Sequence, residues 1–284
     1  MPEWRVKIKK NNMIDFSGRY GQWGMVAGSA EGIGAAFCEE LAKIGLNVIL
    51  VDMNRDGMEA LARKIENNYH IKTKTIKADL GQKDAADQCL NIMKELGCRL
   101  LIYNAAYSRV KPFLAAGLEE MDQYIDVNAR TPLRLVYLFS QQMKRSGTKG
   151  GIILMSSLAG LWGAGLVATY SGTKAFNLLL AEALSFELKP YGIDVSACVA
   201  GATATPGYLG TDPEYGLIRP TVMKPEKVAS TALKKLGKRM LIIPGLSNRL
   251  TYFFLTRILP RSFSAKLVNR TMQKTFRQKN ILND

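Results

Sequence analysis

The chain has 284 residues, of which 47% are hydrophobic and 22% charged, and this balance excludes intrinsic disorder and fibrous folds because it is typical of a globular protein with one substantial core. No apolar run reaches the roughly 18 to 20 residues of a membrane-spanning helix, and charges interrupt residues 1–10 where a signal peptide would be apolar, so we expect a cytoplasmic protein. The formal net charge of +15 is uneven, because residues 218–284 hold 15 Lys and Arg against two acidic residues.

Between Trp23 and Val199, short β-branched runs alternate with longer helical stretches. This alternation is typical of a parallel sheet covered by helices on both faces. Predicted strands span residues 23–27, 47–51, 72–77, 100–103, 151–155 and 194–199. Predicted helices span residues 33–44, 55–67, 83–96, 119–145, with a break near Thr131 and Pro132, and 169–188. The sequence therefore predicts one doubly wound α/β Rossmann-type domain.

The pattern changes after Val199. Residues 201–220 are rich in Gly, Pro and Thr, which predicts a loop or lid rather than sheet. A helix over 225–236 and a short strand over 239–243 follow, and residues 249–279 are helical, basic and aromatic. We therefore expect a Rossmann-type domain over residues 1–247, lid included, and a basic amphipathic helical extension over 248–284.

Cysteine and histidine usage excludes several kinds of site. The single histidine, His70, lies in a polar segment that indicates an exposed turn, and it cannot build a His-rich metal site. No CxxC pair occurs, so buried free thiols are predicted for Cys38, Cys89, Cys98 and Cys198. Acid–base chemistry would therefore fall to Tyr, Lys, Asp or Glu.

Three glycines follow the first predicted strand and open the first helix. Gly28, Gly32 and Gly34 let the chain turn sharply, let the backbone approach a pyrophosphate, and direct the helix N-terminus at its charge. A tight strand–helix turn without ligand is the alternative. The position in the first βα unit favours dinucleotide binding.

Asp52 ends the second predicted strand, about 20 residues beyond the last glycines, where a carboxylate accepts hydrogen bonds from an adenosine ribose. The same carboxylate would repel a 2′-phosphate, so NAD is favoured over NADP. Arg55 follows three residues later and would reverse this preference if Asp52 turned away.

Tyr170 and Lys174 lie four residues apart on a predicted helix and so share one face. A nearby ammonium lowers the pKa of a phenol, which can then exchange a proton with a carbonyl oxygen. A simple surface pair is the alternative for this spacing. Ser157 and Asn104 follow two other predicted strands, at the sheet edge where ligands bind in open parallel sheets.

Over residues 20–205 the chain resembles the short-chain dehydrogenase/reductases, with each motif in the family's order. The matching segments are Ala27-Gly28-x3-Gly32-Ile33-Gly34, Asp79-Leu80, Asn104-Ala105-Ala106, Asp126-Val127-Asn128, Ser157, Tyr170-x3-Lys174 and Ala200-Gly201-x3-Thr205. Two departures are Ala27 and Ala200, which stand where the family has Thr and Pro.

The resemblance implies an NAD(P)-dependent enzyme that transfers hydride between a secondary alcohol or ketone and nicotinamide. It implies that Tyr170 is the general acid/base and that Lys174 lowers its pKa and holds the nicotinamide ribose. Ser157 would orient the substrate oxygen, and Asn128 would bind a water that relays protons to Lys174. The implied cofactor-binding residues are Gly28, Ser29, Glu31, Gly32, Ile33, Gly34, Asp52, Arg55, Asp79, Leu80, Asn104, Ala105, Tyr170, Lys174, Gly201, Thr203 and Thr205, with no metal.

Short segments narrow the substrate. Tyr20-Gly-Gln-Trp23 and Ala30-Glu-Gly32 to Cys38 resemble the opening of bacterial 7β-hydroxysteroid dehydrogenases, and the layout also resembles the 17β-hydroxysteroid and very-long-chain 3-oxoacyl reductase branch. Apolar lid side chains could line a pocket for a flat or long apolar substrate. Packing under their own lid is the alternative. A hydroxysteroid is favoured, a fatty-acyl thioester is the alternative, and the predicted substrate contacts are Ser157, Tyr170, Trp162, Tyr208 and Leu209.

The role of the basic C-terminal segment stays open between three readings. Its cations recur mostly every three to four residues, so they share one helix face with nearby aromatic residues. It could pack on the domain or a sister subunit, lie on anionic lipid as a peripheral contact, or, less favoured, bind nucleic acid. The resemblance implies a homodimer or homotetramer, paired through the helices of residues 119–145 and 169–188. A fold retained as a cofactor-binding scaffold is the non-enzymatic alternative.

Overall fold

The computed structural model describes residues 16–215 and 220–276. Within these residues, seven parallel strands form one sheet in the order β3-β2-β1-β4-β5-β6-β7. The strands are β1 (Trp23–Ala27), β2 (Asn47–Asp52), β3 (Thr73–Lys77), β4 (Leu100–Tyr103), β5 (Gly150–Ser157), β6 (Ile193–Ala200) and β7 (Leu241–Ile242). The predicted doubly wound α/β fold is confirmed.

Helices cover both faces of the sheet, and each face has its own hydrophobic core. The helices are α1 (Phe16–Tyr20), α2 (Gly32–Lys43), α3 (Arg55–Tyr69), α4 (Ala85–Glu95), α5 (Leu118–Ile125), α6 (Thr131–Ser146), α7 (Ala168–Glu187), α8 (Pro206–Leu209), α9 (Pro225–Lys235), α10 (Leu246–Phe253) and α11 (Arg261–Thr275). All four residues of β4 are buried, as expected of a central strand covered on both faces.

The strand order reverses direction at β1. The chain runs from β1 through β2 to β3 on one side and then returns to β4 on the other side. In open parallel sheets such a reversal leaves a crevice at the carboxyl ends of the strands, and ligands bind there. The turn after β1 and the end of β4 therefore form the centre of the candidate site.

The predicted break near Thr131 and Pro132 is wrong. A π-helical turn over Asp126–Arg130 joins α5 directly to α6, so the helical path continues. Pro132 lies in the first turn of α6. The π-turn before it contains an extra residue, which has already displaced the backbone hydrogen bond that a proline at this position would remove.

The predicted helix over 249–279 is interrupted. α10 continues into a π-helical turn over Phe254–Ile258, the chain bends at Leu259 and Pro260, and α11 begins at Arg261. Residues 277–279 of that prediction lie outside the described residues. Within the described residues of the predicted lid, 201–215 and 220, the chain is mostly irregular, contains the short helix α8, and forms a parallel bridge between Thr203 and Met223.

The predictions for cysteine and histidine are confirmed. All four cysteines are free and buried. His70 is exposed and ends α3 in the left-handed conformation, with φ of 56°. Among the described helices, none has the length and apolar character to cross a membrane.

Candidate active site

The glycine turn after β1 is closely packed against the turn after β4. Gly28 has φ of +78°, and a Cβ there would lie 2.6 Å from the Ala105 backbone. A Cβ at Gly32 would lie 2.9 Å from Thr205. Both positions therefore require glycine, for backbone conformation and for space.

The N-terminus of α2 is free to bind an anion. Its N-cap residue, Glu31, makes no side-chain cap, and no acidic residue follows in the first turn, which contains Ile33 and Gly34. In the glycine turn before the helix, the buried hydroxyl of Ser29 has no partner among the described residues. Uncapped amides and the helix dipole fit a pyrophosphate group.

Asn104 holds this turn closed from the neighbouring strand. Its side-chain amide donates to the Gly28 carbonyl at 2.8 Å, and the backbone amides of Asn104 and Ala105 both donate to the Ala27 carbonyl. These bonds stabilise the turn although Ala27 lacks a hydroxyl. Asn104 thus lies at the predicted crevice, in contact with the glycine turn.

Two carboxylates lie beyond neighbouring strands. Asp52 ends β2, where its two oxygens accept the backbone amides of Ala30 and Asn54 at 2.9 and 3.0 Å. Asp79 follows β3 and accepts the Gly81 amide, while the adjacent Leu80 is buried. Both acids therefore stabilise the turns that shape the crevice.

Ser157, Tyr170 and Lys174 converge at the end of β5. Ser157 is the last residue of the strand, and its hydroxyl also accepts the Ala159 amide at 3.2 Å. Lys174 is 3% exposed, and its ammonium donates to the Met155 carbonyl of the same strand at 3.1 Å. The Lys174 Nζ lies 5.6 Å from the centroid of the Tyr170 ring. Tyr170 and Lys174 of α7 therefore lie together at the end of β5.

The electrostatics of this cluster differ from the expectation. Burial raises the pKa of Tyr170, and its hydrogen bond to Ser157 lowers that pKa by less. Burial alone lowers the pKa of Lys174 to about 8. Burial thus outweighs the Ser157 hydrogen bond at Tyr170, and it disfavours the charged form of Lys174.

Asn128 lies on the π-turn and is fully buried. Its amide oxygen accepts the Tyr107 amide at 2.7 Å, and its amide nitrogen donates to the Tyr107 carbonyl and to the Thr173 hydroxyl. Its own backbone carbonyl accepts the side chain of Asn177 at 2.9 Å. The side chain thus fixes the loop after β4 to α7.

Asn177 and Thr173 were missed by the sequence reasoning. Both are buried on α7, and they connect that helix to the π-turn. The available signal was spacing, since Asn177 lies three residues beyond Lys174 and shares its helix face. The amide oxygen of Asn177 has no partner among the described residues.

The loop after β6 lies over the glycine turn. Thr203 is buried and its hydroxyl donates to the Gly201 carbonyl at 2.9 Å. The Thr205 hydroxyl accepts the Tyr208 amide and so begins α8. Because a Cβ at Gly32 would meet Thr205, this loop and the glycine turn lie close against each other.

The predicted substrate residues lie in two loops. Trp162 is buried in the loop between Ser157 and Tyr170. The Tyr208 hydroxyl bonds to the Tyr215 hydroxyl at 2.6 Å across the lid, and Leu209 is 58% exposed. Residues 216–219 of the predicted lid lie outside the described residues.

Arg55 is turned toward its own helix. Its guanidinium donates to Glu59 at 2.7 Å on the exposed side of α3. The residues present thus fit a dinucleotide, with a glycine cradle, free helix amides, and Asp52 at the end of β2. Such a cofactor would supply the hydride acceptor or donor.

The fold and this site define an NAD(P)-dependent oxidoreductase that acts on CH–OH groups. The chain belongs to the short-chain dehydrogenase family, whose family model matches residues 22–212. The predicted family membership is therefore confirmed.

Two curated relatives illustrate the similarity. The chain is 31% identical to the 7beta-hydroxysteroid dehydrogenase of Mediterraneibacter gnavus, over 81% of this chain and 89% of the relative. It is also 31% identical to the very-long-chain 3-oxoacyl-CoA reductase of Phaeosphaeria nodorum, over 92% of this chain and 79% of the relative.

Solved structures agree with the fold. A structure of a 7beta-hydroxysteroid dehydrogenase superposes with a TM-score of 0.82 at 27% identity, covering 90% of this chain and 99% of that one. A short-chain dehydrogenase from Sphingobium yanoikuyae in complex with NADPH gives a TM-score of 0.70 at 26% identity, covering 78% and 86%. Relatives of this kind therefore include one that holds the phosphorylated cofactor.

Proposed function

We propose that the protein interconverts a hydroxysteroid and its ketone by hydride transfer with a nicotinamide cofactor. The observation that carries the proposal is the convergence of Ser157, Tyr170 and Lys174 at the end of β5. Hydride would move between the substrate carbon and the cofactor, while a proton moves between the substrate oxygen and Tyr170.

The proposed roles follow from the local contacts. Tyr170 would donate a proton to the substrate oxygen during ketone reduction and would accept one from it during alcohol oxidation. Ser157 hydrogen-bonds to Tyr170 and would also hold the substrate oxygen. Lys174 holds the end of β5 and would bind the nicotinamide ribose. Asn128 acts by position, through the loop after β4.

A steroid is favoured by similarity to 7beta-hydroxysteroid dehydrogenases and by the apolar side chains of the two loops beside the site. A 3-oxoacyl thioester is the second candidate, because the 3-oxoacyl-CoA reductase relative matches a larger share of the chain. The test measures the absorbance of the reduced cofactor during incubation with 7-oxosteroids and, separately, with 3-oxoacyl thioesters. Turnover of thioesters with none of 7-oxosteroids would replace the proposal by the second candidate.

We further propose NAD as the preferred cofactor. Each oxygen of Asp52 has one backbone donor and keeps a further lone pair for a ribose hydroxyl. A 2′-phosphate would meet this carboxylate, and Arg55 is paired with Glu59 instead of facing it. The Arg55–Glu59 ion pair is exposed and easily broken, so Asp52 carries the preference for NAD. Equal or better kcat/KM with NADPH than with NADH would contradict the preference.

The outer faces of α6 and α7 support the proposed homodimer or homotetramer. Tyr137, Leu179 and Phe186 are each more than 60% exposed on these helices. Burial of such side chains against a second copy would remove apolar surface from water. Sedimentation of the protein tests the oligomer, and a monomer at micromolar concentration would contradict it.

We also propose that the Rossmann-type domain and the C-terminal extension divide near residue 247, because α10 begins at Leu246.

A further inference from the structure

Residues 246–276, here called the C-terminal hairpin, have one side attached to the domain. Asn248 is buried and donates to the Pro244 carbonyl at 2.9 Å, while Tyr252 packs on one core. The Ser264 hydroxyl donates to the Leu255 carbonyl at 2.8 Å, which joins α11 to the π-turn before it. The side of the hairpin that faces away from the domain is therefore held in a fixed position.

That opposite side is apolar and aromatic. Positions 246, 250, 253 and 258 follow helical spacing away from Asn248 and Tyr252, so they share one face of α10 and its π-turn. Phe253 and Phe254 lie edge to face with ring centroids 5.8 Å apart. The apolar side chains of the hairpin that are about half exposed or more are Leu246, Leu250, Phe253, Phe254, Ile258 and, on α11, Phe263.

The hairpin is also cationic. The hairpin contains six Lys and Arg and no Asp or Glu. Among the described residues, none of these cations forms an ion pair within 4.0 Å. The cations are Arg249, Arg257, Arg261, Lys266, Arg270 and Lys274. An occupant must therefore offer both negative charge and an apolar phase.

We propose that the C-terminal hairpin is a docking surface for an anionic lipid bilayer. Headgroup phosphates match the cations, and the acyl boundary accepts the phenylalanine and leucine side chains. A second hairpin would bring like charges together, and nucleic acid would leave the apolar side chains in water. A lipid surface is the occupant that satisfies both requirements.

The hairpin also touches the candidate site. Asn269, on the inner side of α11, accepts the Gly165 amide at 2.7 Å and donates to the Gly163 carbonyl at 2.9 Å. The Thr275 carbonyl accepts the Glu214 amide of the lid. Docking would thus hold the substrate loops beside a lipid phase into which apolar substrates partition. This last consequence rests on the proposed function, whereas the docking itself does not.

The test is co-sedimentation of the full chain with vesicles of phosphatidylcholine, alone or mixed with phosphatidylglycerol. We expect retention on the anionic vesicles at low salt, at least about tenfold stronger than on neutral ones, and loss of retention at high salt. Absence of retention on anionic vesicles at low salt overturns the proposal.

Two variants separate the two halves of the surface. Phe253→Ser with Phe254→Ser, and separately Arg249→Gln with Arg257→Gln and Arg270→Gln, should each weaken retention at least about tenfold. The charge-matched control is Lys83→Gln with Lys94→Gln and Lys189→Gln, three exposed lysines outside the hairpin. Equal weakening by the control would overturn the proposal.

Three further readouts distinguish other occupants. Unchanged retention in the phenylalanine variant, retention on DNA as strong as on vesicles, or a change of oligomeric state in that variant would each overturn lipid docking. The docking variants should keep their turnover of a soluble ketone without vesicles. A protein that binds vesicles and lacks all turnover would overturn the proposed function and leave the docking proposal supported.

Discussion

The sheet edge and the C-terminal hairpin are built in opposite ways. At the sheet edge, Gly28, Asn128 and Lys174 are fixed by buried backbone contacts on several sides. The hairpin meets the domain through a few side chains, and much of its apolar surface is exposed. Under the two proposals above, the chemistry depends on the sheet, and docking depends on the hairpin. Changes in the first region should affect turnover and cofactor binding, and changes in the second should leave both intact.

The largest expected effect is at Tyr170. Tyr170→Phe removes the proton that the substrate oxygen exchanges, so we expect turnover to fall by at least about 100-fold while cofactor binding persists. Steady-state kinetics and cofactor fluorescence titration measure the two quantities. Retention of more than a few per cent of turnover would contradict the assignment of Tyr170 and weaken the comparison.

Lys174 should affect stability in a pH-dependent way. Its pKa is lowered from 10.5 to about 8, so the unfolded chain binds more protons between these values, and stability rises with pH across that window. The loss of stability caused by the buried ammonium is fully present below about pH 8. We expect Lys174→Met to raise the free energy of unfolding by up to about 3 kcal/mol at pH 7 and by much less above pH 10.

Chemical denaturation at the two pH values measures this effect. The control is Lys94→Met, at an exposed lysine of α4, which should show no such dependence. If Lys174→Met raised the free energy of unfolding equally at pH 7 and above pH 10, burial of Lys174 would not penalise its charged form.

The glycine turn offers a matched pair of variants. Gly28 and Gly45 have φ of +78° and +82°, but a Cβ at Gly28 would lie 2.6 Å from Ala105, while nothing lies within 4 Å at Gly45. Gly45→Ala should cost about 1 kcal/mol of unfolding free energy, from backbone conformation alone. Gly28→Ala should cost more and should weaken NADH binding by about tenfold. Equal effects would mean that the close approach to Ala105 is unimportant.

Asn269 should give the smallest effect, confined to the substrate. Asn269→Ala removes both bonds to the loop that contains Trp162, so we expect the KM for a 7-oxosteroid to rise about fivefold, with NADH affinity unchanged. Trp162 emission, isolated by subtraction of matched Trp162→Phe proteins, should shift to the red as the indole becomes hydrated. This optical readout is independent of the substrate.

Two controls accompany this variant. Asn269→Asp can still accept the Gly165 amide, so its KM should rise less than that of Asn269→Ala. Arg270→Ala, at the exposed neighbouring position, should change neither the KM nor the Trp162 emission. A fall in NADH affinity in Asn269→Ala would remove the distinction between the two regions.

Positions set by local pattern were predictable from the sequence. The strands, the glycine turn and the Tyr170–Lys174 spacing follow from periodicity and chain direction, which determine where strands end. The π-turn over Asp126–Arg130 was not predictable, because it depends on how Asn128 bonds to Tyr107 and Asn177 in three dimensions. The same applies to Asn269, whose partners lie about a hundred residues away in the chain.

The direction of the Tyr170 pKa also escaped prediction. Sequence spacing gives the distance between the phenol and the ammonium, but it does not give the burial of either. In the structure, burial raises the pKa of Tyr170 and lowers that of Lys174, so the pair differs from the same spacing on an exposed helix.

The four buried cysteines provide natural reporters of how the two layers open. Cys38 and Cys198 belong to one core and Cys89 and Cys98 to the other. Burial raises the pKa of each thiol, to about 12 for the last three, so none is a reactive thiolate in the closed fold. A thiol reagent would therefore label each layer only during transient opening, and mass spectrometry of the labelled peptides would time the two events separately.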